Sequence, residues 1–338
     1  MKKFSLKQIA AQSGLSLATI DRALHQRGNV HPQTLQRIEQ AQADLELLQK
    51  ASLAQGRTLW FDVVMHTPTR FSDIVRDAFI SQIASFASFR IQIRFHCREN
   101  MTLAELNALL KKCAVDSHGI ILKALYAPAL VSTIDTLVKQ HVPVITLVTD
   151  IPGSARLRYI GMDNFNAGKV AALMMAKWHH SPNATIAAVT GDAGFTGEQE
   201  RICGFQAGIQ EYAPHFSVQV VSGGFGLNPL MYQFVSQFLT EHPTINAVYT
   251  VGGGNTGILQ AFATHSREIS TFISHDLDRE NRALMQAGKI DVLIEHNLQL
   301  DAQNALRALL QFHHFIPQTE NAVPYSPINI ITAINMSV

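Results

Sequence analysis

Hydrophobic and polar positions follow two periods along the chain. From residue 58 onward, short apolar runs alternate with segments in which apolar residues recur every three or four positions. The runs predict strands near Phe61–Met65, Ile91–Phe95, Gly119–Leu122, Val144–Val148, Thr185–Thr190, Val218–Val221, Ala247–Val251, Thr271–Ser274 and Asp291–Glu295. The other segments predict helices, among them Ser72–Phe86, Thr102–Lys112 and Pro128–Gln140. About ten strand-helix units predict an α/β protein with two doubly wound, parallel-sheet subdomains that share a cleft.

The first 48 residues show only the helical period. Ser5 and Ser16 stand where two short helices need N-caps, and Gly14 lies where the chain must turn between them. Pro32 suits the first turn of a third helix, which we expect to end near Leu48. Its inner stripe would be Leu35, Ile38, Ala41 and Leu45.

The pattern therefore divides the chain into three parts. Residues 1–48 are predicted to form a three-helix head with a helix-turn-helix. Residues 49–57 have small side chains and no strong apolar stripe, which indicates a hinge linker. Residues 58–338 would form the ligand-binding domain, with the chain crossing between its two subdomains.

Charge separates the head from the remainder. The whole chain has a formal net charge of +1 over 338 residues. Residues 1–60 hold eight lysines and arginines against four acids, a net of +4, so the remaining residues carry a net of −3. A basic head on a slightly acidic body indicates that only the head meets a polyanion.

The three cysteines, Cys97, Cys113 and Cys203, are widely spaced and form no CxxC motif or Cys/His cluster in the sequence. We therefore expect free thiols in a reducing compartment, with no disulfide framework and no metal site. No apolar segment follows Lys2 and Lys3, and no run of about 18 apolar residues occurs. We expect a cytoplasmic protein without a membrane span.

Polar and aromatic side chains follow the predicted strands, at the edge where ligands bind in such folds. The candidate ligand contacts are Phe71, Ser72, Asp163, Asn164, Arg201, Asn255, Asp276 and His296. Phe71 suits stacking on a sugar or packing on a helix, and Arg201 suits a hydroxyl clamp or a solvated surface. Asp163 and Asn164 also suit a helix cap, and His296 suits packing behind the site.

The sequence gives no sign of an enzyme or a bound cofactor. The loop Gly252–Gly257 has neither of the two glycine spacings that bind nucleotides, so it favours close approach to a neutral ligand beside Asn255. Ser274, His275 and Asp276 cannot form a catalytic triad, because adjacent strand residues point to opposite faces. A phosphorylated sugar would need more cationic residues in the cleft. We predict no catalytic residue, no cofactor and no metal.

The chain closely resembles the LacI/GalR family of bacterial repressors over essentially its whole length. Leu6 to Ala10 and Ser16 to Leu24 match the family's DNA-binding motif. The stretch from Pro152 through Gly168 and Glu200-Arg201 with Gly204-Phe205 match its effector domain, which is similar to periplasmic sugar-binding proteins. The resemblance implies a homodimeric repressor that binds a palindromic operator and responds to a small sugar or polyol.

The resemblance also assigns residues to DNA. Leu17, Ala18 and Arg22 would contact bases, while Ser16 and Thr19 would hold phosphates. The full set of expected DNA contacts is Ser5, Ser16, Leu17, Ala18, Thr19, Arg22, Asn29, His31 and Leu53. Leu53 corresponds to the family's minor-groove wedge, although the hinge lacks the usual proline entry and is about three residues shorter.

Two alternatives remain open from the sequence alone. One is a solute-binding protein without a regulatory role, and the other is a sugar-processing enzyme such as a kinase or hydrolase.

Overall fold

The computed structural model describes residues 4–25, 27, 30–318 and 325–336. The chain forms two compact units. One comprises Met1–Leu59, Phe86–Gln92 and Arg307–Asn321, and the other comprises Trp60–Ser85, Ile93–Leu306 and Ala322–Val338.

Helices and strands alternate through most of the chain. The helices are α1 (Leu6–Ser13), α2 (Leu17–Leu24), α3 (Pro32–Gln55), α4 (Thr69–Ile83), α5 (Leu103–Cys113), α6 (Pro128–Lys139), α7 (Asn164–Trp178), α8 (Thr196–Tyr212), α9 (Asn228–Glu241), α10 (Asn255–Thr264), α11 (Arg279–Gln286) and α12 (Leu298–Phe312). The strands are β1 (Thr58–His66), β2 (Arg90–Arg98), β3 (Ile120–Lys123), β4 (Val144–Leu147), β5 (Arg158–Ile160), β6 (Thr185–Thr190), β7 (Ser217–Ser222), β8 (Ala247–Thr250), β9 (Thr271–His275), β10 (Val292–His296) and β11 (Ile328–Ile331).

Helices α1 to α3 pack around a small apolar centre in the first unit. Ser5 caps α1 through a reciprocal bond with Gln8, and Ser16 caps α2 by accepting from the Thr19 amide. Gly14 takes a left-handed backbone, with φ of 62°, which lets α1 end and the chain turn. The buried centre consists of Ile9, Ile20 and Ile38.

The third helix differs from the sequence-based expectation at its end. Helix α3 starts at Pro32 as expected but continues to Gln55, through most of the segment predicted to be a separate hinge. Nothing in the amino-acid sequence there breaks a helix before Gly56, because residues 49–55 contain neither proline nor glycine. Leu35, predicted to face inward, is 39% exposed, whereas Ile38 and Ala41 are buried.

The second unit contains most of two sheets, which define its two lobes, while the first residues of β1 and β2 belong to the first unit. The first lobe has five strands in the order β2-β1-β3-β4-β5, and β1, β3, β4 and β5 pair in parallel. Its core lies between the sheet and helices α5 and α6. Strand β2 lies on one side of β1 and β3 on the other, so the strand order reverses at this point.

The second lobe has six strands in the order β11-β10-β9-β8-β6-β7. All neighbouring pairs are parallel except β10 with β11, which is antiparallel. Both faces of the sheet are covered: Ile186 and Ala188 of β6 pack on one side, and Ala187 and Val189 on the other. The predicted α/β fold with parallel sheets in two subdomains is confirmed.

Among the described residues, no helix combines the length and apolar character that a membrane span requires.

Candidate functional site

A cavity opens at the carboxyl ends of strands from both lobes. The first lobe contributes Thr67 after β1, Lys123 at the end of β3 and Thr149 after β4. The second contributes Gly252 after β8 and Asp276 after β9. In each sheet this edge includes the point where strand order reverses, where open α/β sheets place their ligands.

Three phenylalanines form the apolar part of the cavity wall. Phe71 lies in the first turns of α4, Phe195 stands just before α8, and Phe225 lies in the loop between β7 and α9. Phe71 and Phe195 are 6% exposed, whereas Phe225 is 37% exposed. Aromatic rings of this kind offer flat apolar faces for the C–H surface of a small ligand.

Lys123 shares this part of the wall and was missed by the sequence analysis. Its side chain is 8% exposed, and its Nζ lies 4.1 Å from the centre of the Phe195 ring. Burial lowers the pKa of Lys123 to about 8, against the raising effect of Glu198 and Asp276. The ammonium group is therefore still charged at neutral pH.

Arg201 projects from the first turns of α8 and is 3% exposed. Its Nε donates to Oδ1 of Asn164 at 2.9 Å, and Nη1 donates to the Val251 carbonyl at 2.8 Å. Nη2 lies 2.6 Å from Nε2 of His296. Burial and the Arg201 charge hold the pKa of His296 well below its usual value, so His296 is neutral and accepts this bond. The guanidinium is thus fixed in the cavity wall.

Three acids line the cavity, and two of them, Glu198 and Asp276, differ in their hydrogen bonds. Oε2 of Glu198 accepts from the Thr190 hydroxyl at 2.7 Å and from the Gly191 amide at 2.8 Å. Asp276 has Oδ1 buried without a hydrogen-bond partner among the described residues. Burial raises the pKa of Asp276 to about 6, although Arg201 acts in the opposite direction. Asp276 therefore has an acceptor oxygen available for a ligand hydroxyl.

Arg70 of the first lobe connects the two lobes across the cavity. Its Nε lies 2.8 Å from Oδ2 of Asp278, and its Nη1 donates to the Gly226 carbonyl at 2.8 Å. A Cβ at Gly253 would lie 1.1 Å from Nη2 of Arg70, so the guanidinium needs a glycine there. The lobes are closed on one another in this structure.

Comparison with known proteins gives a family for this fold and site. The model of the periplasmic binding protein domain matches residues 105–312, which is more than half of the chain. The chain belongs to the periplasmic binding protein domain family. A comparison with curated protein sequences gives no match.

Solved structures support the fold of this periplasmic binding protein domain. A glucose-galactose binding protein, GanP from Geobacillus stearothermophilus, is 20% identical, with a TM-score of 0.72 over 83% of this chain and all of its own. A solute-binding protein from Burkholderia graminis C4D1M in complex with D-arabinose is 19% identical, with a TM-score of 0.72, covering 82% of this chain and 96% of its own. The Caulobacter myo-inositol binding protein is 20% identical, with a TM-score of 0.70, covering 82% of this chain and 94% of its own.

The sequence-predicted ligand contacts separate into two groups in the periplasmic binding protein domain. Phe71, Arg201 and Asp276 line the cavity, while the remaining five do not. Those five are Ser72, Asp163, Asn164, Asn255 and His296. Asn164 and His296 instead bond the Arg201 guanidinium from behind.

Ser72, Asp163 and Asn255 do not line the cavity, and each forms hydrogen bonds elsewhere. Ser72 is 4% exposed and donates to the Thr69 carbonyl within its own helix. Asp163 caps α7 by accepting from the Asn166 amide. Asn255 is fully buried and donates to Ser274 and Asn281, so the glycines before it, not its amide, reach the cavity.

A second cluster of polar side chains lies in the first lobe, away from this cavity. Asp62, His96 and Cys113 each offer one potential metal-ligand atom, and these atoms lie within 4.8 Å of one another. The sequence analysis expected no Cys/His cluster, because these residues are far apart along the chain. Both Asp62 oxygens accept from Arg94, at 2.8 and 2.7 Å, so an internal cation already neutralises the carboxylate.

Among the residues expected to contact DNA, Ser5 and Ser16 cap α1 and α2, His31 precedes α3, and four lie on α2: Leu17, Ala18, Thr19 and Arg22. Ser5, Ser16, Ala18, Arg22 and His31 are exposed, and Thr19 is half-buried. Leu17 is 47% exposed. Asn29 and the side chain of Leu53 lie outside the described residues. The LacI/GalR resemblance and its DNA contacts remain predictions, since the matched family and the similar structures concern ligand binding.

Proposed function

We propose that the larger unit binds a sugar or polyol reversibly in the cavity between its lobes. The observation that carries this proposal is the combination, in one cavity, of three phenylalanine rings with the fixed Arg201 guanidinium and the unpartnered Asp276 oxygen. Rings stack on the C–H face of a sugar, while Arg201 and Asp276 bond its hydroxyls. The sugars named for the similar structures point to the same class of ligand.

A panel of sugars and polyols tests the proposal by thermal unfolding, because a ligand that binds only the folded state raises the midpoint. Phe225→Ala should weaken binding of the best ligand about tenfold, or ~1.4 kcal/mol, by loss of a stacking face. Phe165→Ala is the matched control, since Phe165 is 42% exposed and does not line the cavity. Equal losses in both variants would show that the ligand binds elsewhere.

We propose further that α1 and α2 bind duplex DNA in a sequence-specific way. The exposed side chains of Leu17, Ala18 and Arg22 at and after the capped start of α2 support this, because a reading helix enters the major groove by its N-terminal end. In this proposal the chain is a cytoplasmic homodimeric repressor whose affinity for a palindromic operator depends on the bound sugar. The comparisons favour the alternative, a solute-binding protein without a regulatory role, more than they favour DNA binding.

Selection of duplexes from a random pool by the full chain separates the two candidates. A regulator enriches a palindrome, and Arg22→Ala then loses discrimination at one base pair in each half-site, by roughly 1–3 kcal/mol. Arg279→Ala, which removes an exposed arginine from α11, is the control for the change in charge. A pool that stays random, together with sugar binding, supports the plain solute-binding protein.

A further inference from the structure

Two buried cations face the cavity without an acidic partner in contact. Lys123 forms no ion pair, and its Nζ makes no hydrogen bond, within the part of the chain that the structure describes; Nζ lies 4.1 Å from the centre of the Phe195 ring and 5.6 Å from that of Phe71. Arg201 makes three hydrogen bonds, and all three go to neutral groups: an amide, a backbone carbonyl and an imidazole. Both side chains are more than nine-tenths buried.

The acids that line the same cavity do not pair with these cations. Asp278 forms its ion pair with Arg70. Glu198 points its Oε2 at the hydroxyl of Thr190 and at two backbone amides. Asp276, whose pKa burial raises to about 6, forms no ion pair with Lys123 or Arg201 in the part of the chain that the structure describes.

An unpaired ammonium group in such a position is costly. Removing an ion from water is unfavourable unless a counter-charge or several hydrogen bonds replace the lost hydration. The face of an aromatic ring compensates only a small part of this cost. Lys123 therefore lacks the counter-charge or hydrogen bonds that its burial requires. Its side chain lines the cavity, from which a ligand reaches it.

We propose that the ligand is an acidic sugar, a polyol that carries a carboxylate or phosphate group, and that its anionic group contacts Lys123. This inference rests on the proposed sugar-binding function of the cavity. Arg201 adds a second positive charge to the same wall, and Asp276 accepts from the ligand hydroxyls. Lys123, which the sequence analysis did not place here, supplies an additional cationic side chain of the kind that an acidic sugar needs.

The neutral-sugar alternative uses the same residues differently. There Lys123 would donate to a hydroxyl, and the charge of the ligand would not matter. Matched pairs that differ only in an anionic group separate the two: D-galactose and D-galacturonate, D-glucitol and D-gluconate, and D-glucose with its 6-phosphate. Titration calorimetry on the full chain measures the affinity for each member.

The proposal predicts that in at least one pair the acidic member binds tenfold or more tightly than the neutral member. The carboxylate pairs and the phosphate pair show which anion is the natural one. Lys123→Met should remove this preference, weakening the acidic member at least tenfold more than it weakens the neutral member. Lys112→Met is the matched control, because Lys112 is exposed on α5.

A second measurement on the unaltered chain covers the case in which Lys123→Met does not fold. Affinity for the acidic member should fall as the pH rises through about 8, where Lys123 loses its charge, while affinity for the neutral member stays level. If neutral members bind as tightly as acidic ones, or if affinity for the acidic member is unchanged through this pH range, the inference is wrong and the sugar-binding function stands. If no member of any pair binds in the millimolar range, the inference is wrong, and the panel of sugars and polyols decides the sugar-binding function separately.

Discussion

At the scale of single residues, three of the six described non-glycine residues with a positive φ line the cavity: Val148, Phe225 and Asp276. Val148 and Asp276, both in the cavity wall, have φ of 67° and 66°, a region that side chains other than glycine rarely adopt. Each is held by its neighbours: the Val148 amide donates to the Ile160 carbonyl, and the Asp276 amide donates to the Ile294 carbonyl. Strained residues that the surrounding structure holds in place are typical of binding sites.

The pKa of Asp276 leads to a prediction about stability against pH. A carboxyl with a pKa raised to about 6 when folded, above its value of 3.8 when unfolded, binds its proton more tightly in the folded state. Its contribution to the free energy of unfolding is present below pH 3.8 and is lost as the pH rises through 6. Asp276→Asn should therefore be more stable than the unaltered chain at pH 7.5, and the difference should shrink by pH 5.

Urea unfolding of the ligand-free protein at the two pH values measures the difference. Asp73→Asn, at an exposed position of α4, is the control and should change stability little at either pH. A difference for Asp276→Asn that grows toward low pH would contradict the assigned direction of the pKa shift.

Single residues also show what the sequence could and could not reveal. Arg201 was predicted because it follows a strand-end loop in a matching motif, and it lines the cavity. Lys123 closes an apolar run, where a lysine ordinarily marks the solvated end of a strand. It becomes buried only because Phe195, far along the chain, covers it. Periodicity within one segment carries no information about such a contact.

At the scale of elements, glycines bring α7 and α8 into close contact. A Cβ at Gly168 of α7 would lie 2.1 Å from the Arg201 carbonyl oxygen, and one at Gly204 of α8 would lie 1.9 Å from the Phe165 carbonyl oxygen. Both neighbours are backbone atoms, which cannot move aside alone. This close packing sets Arg201 of α8 against Asn164 of α7.

Gly204→Ala should therefore separate the two helices. We expect a loss of about 1–3 kcal/mol in the free energy of unfolding, since an added methyl group must displace helix backbone. Affinity for the cavity ligand should fall as well, because the Arg201 guanidinium shifts with its helix. Chemical denaturation and calorimetry measure the two effects.

Gly56→Ala provides the control, because a Cβ at Gly56 meets no atom within 4 Å and its φ is not positive. A Gly204→Ala variant with the stability and affinity of this control would show that the helices are not held at this distance.

Elements were predicted well where the apolar period was strong. Nine of the eleven described strands lie within a few residues of the predicted runs, because parallel strands buried on both faces give continuous apolar segments. The three-residue β5 has no predicted run. The end of α3 was predicted poorly. The expected stop near Leu48 has no glycine or proline to end the helix, and α3 continues to Gln55, the residue before Gly56.

At the scale of the whole ligand-binding unit, Arg70 joins two lobes whose sheets share no strand. Its partners, Asp278 and Gly226, both belong to the second lobe. These bonds need no ligand, so the closed arrangement has a stabilising contact of its own. Ligand affinity in a two-lobed protein is reduced by the fraction of molecules that are open, and Arg70 should raise the closed fraction.

Arg70→Ala should accordingly favour the open arrangement. Loss of a partly exposed, charge-assisted pair is expected to shift the balance by about 1–2 kcal/mol, which is roughly a tenfold change in the ratio of closed to open molecules. Small-angle scattering of the ligand-free protein should show a larger radius of gyration, and ligand affinity should fall by a similar factor. Arg76→Ala is the matched control, since Arg76 is exposed on the same helix.

A variant at Arg70 with unchanged scattering would mean that packing between the lobes, rather than this ion pair, keeps the unit closed. Unchanged scattering with weaker binding would instead make Arg70 a direct ligand contact, because it also lines the cavity.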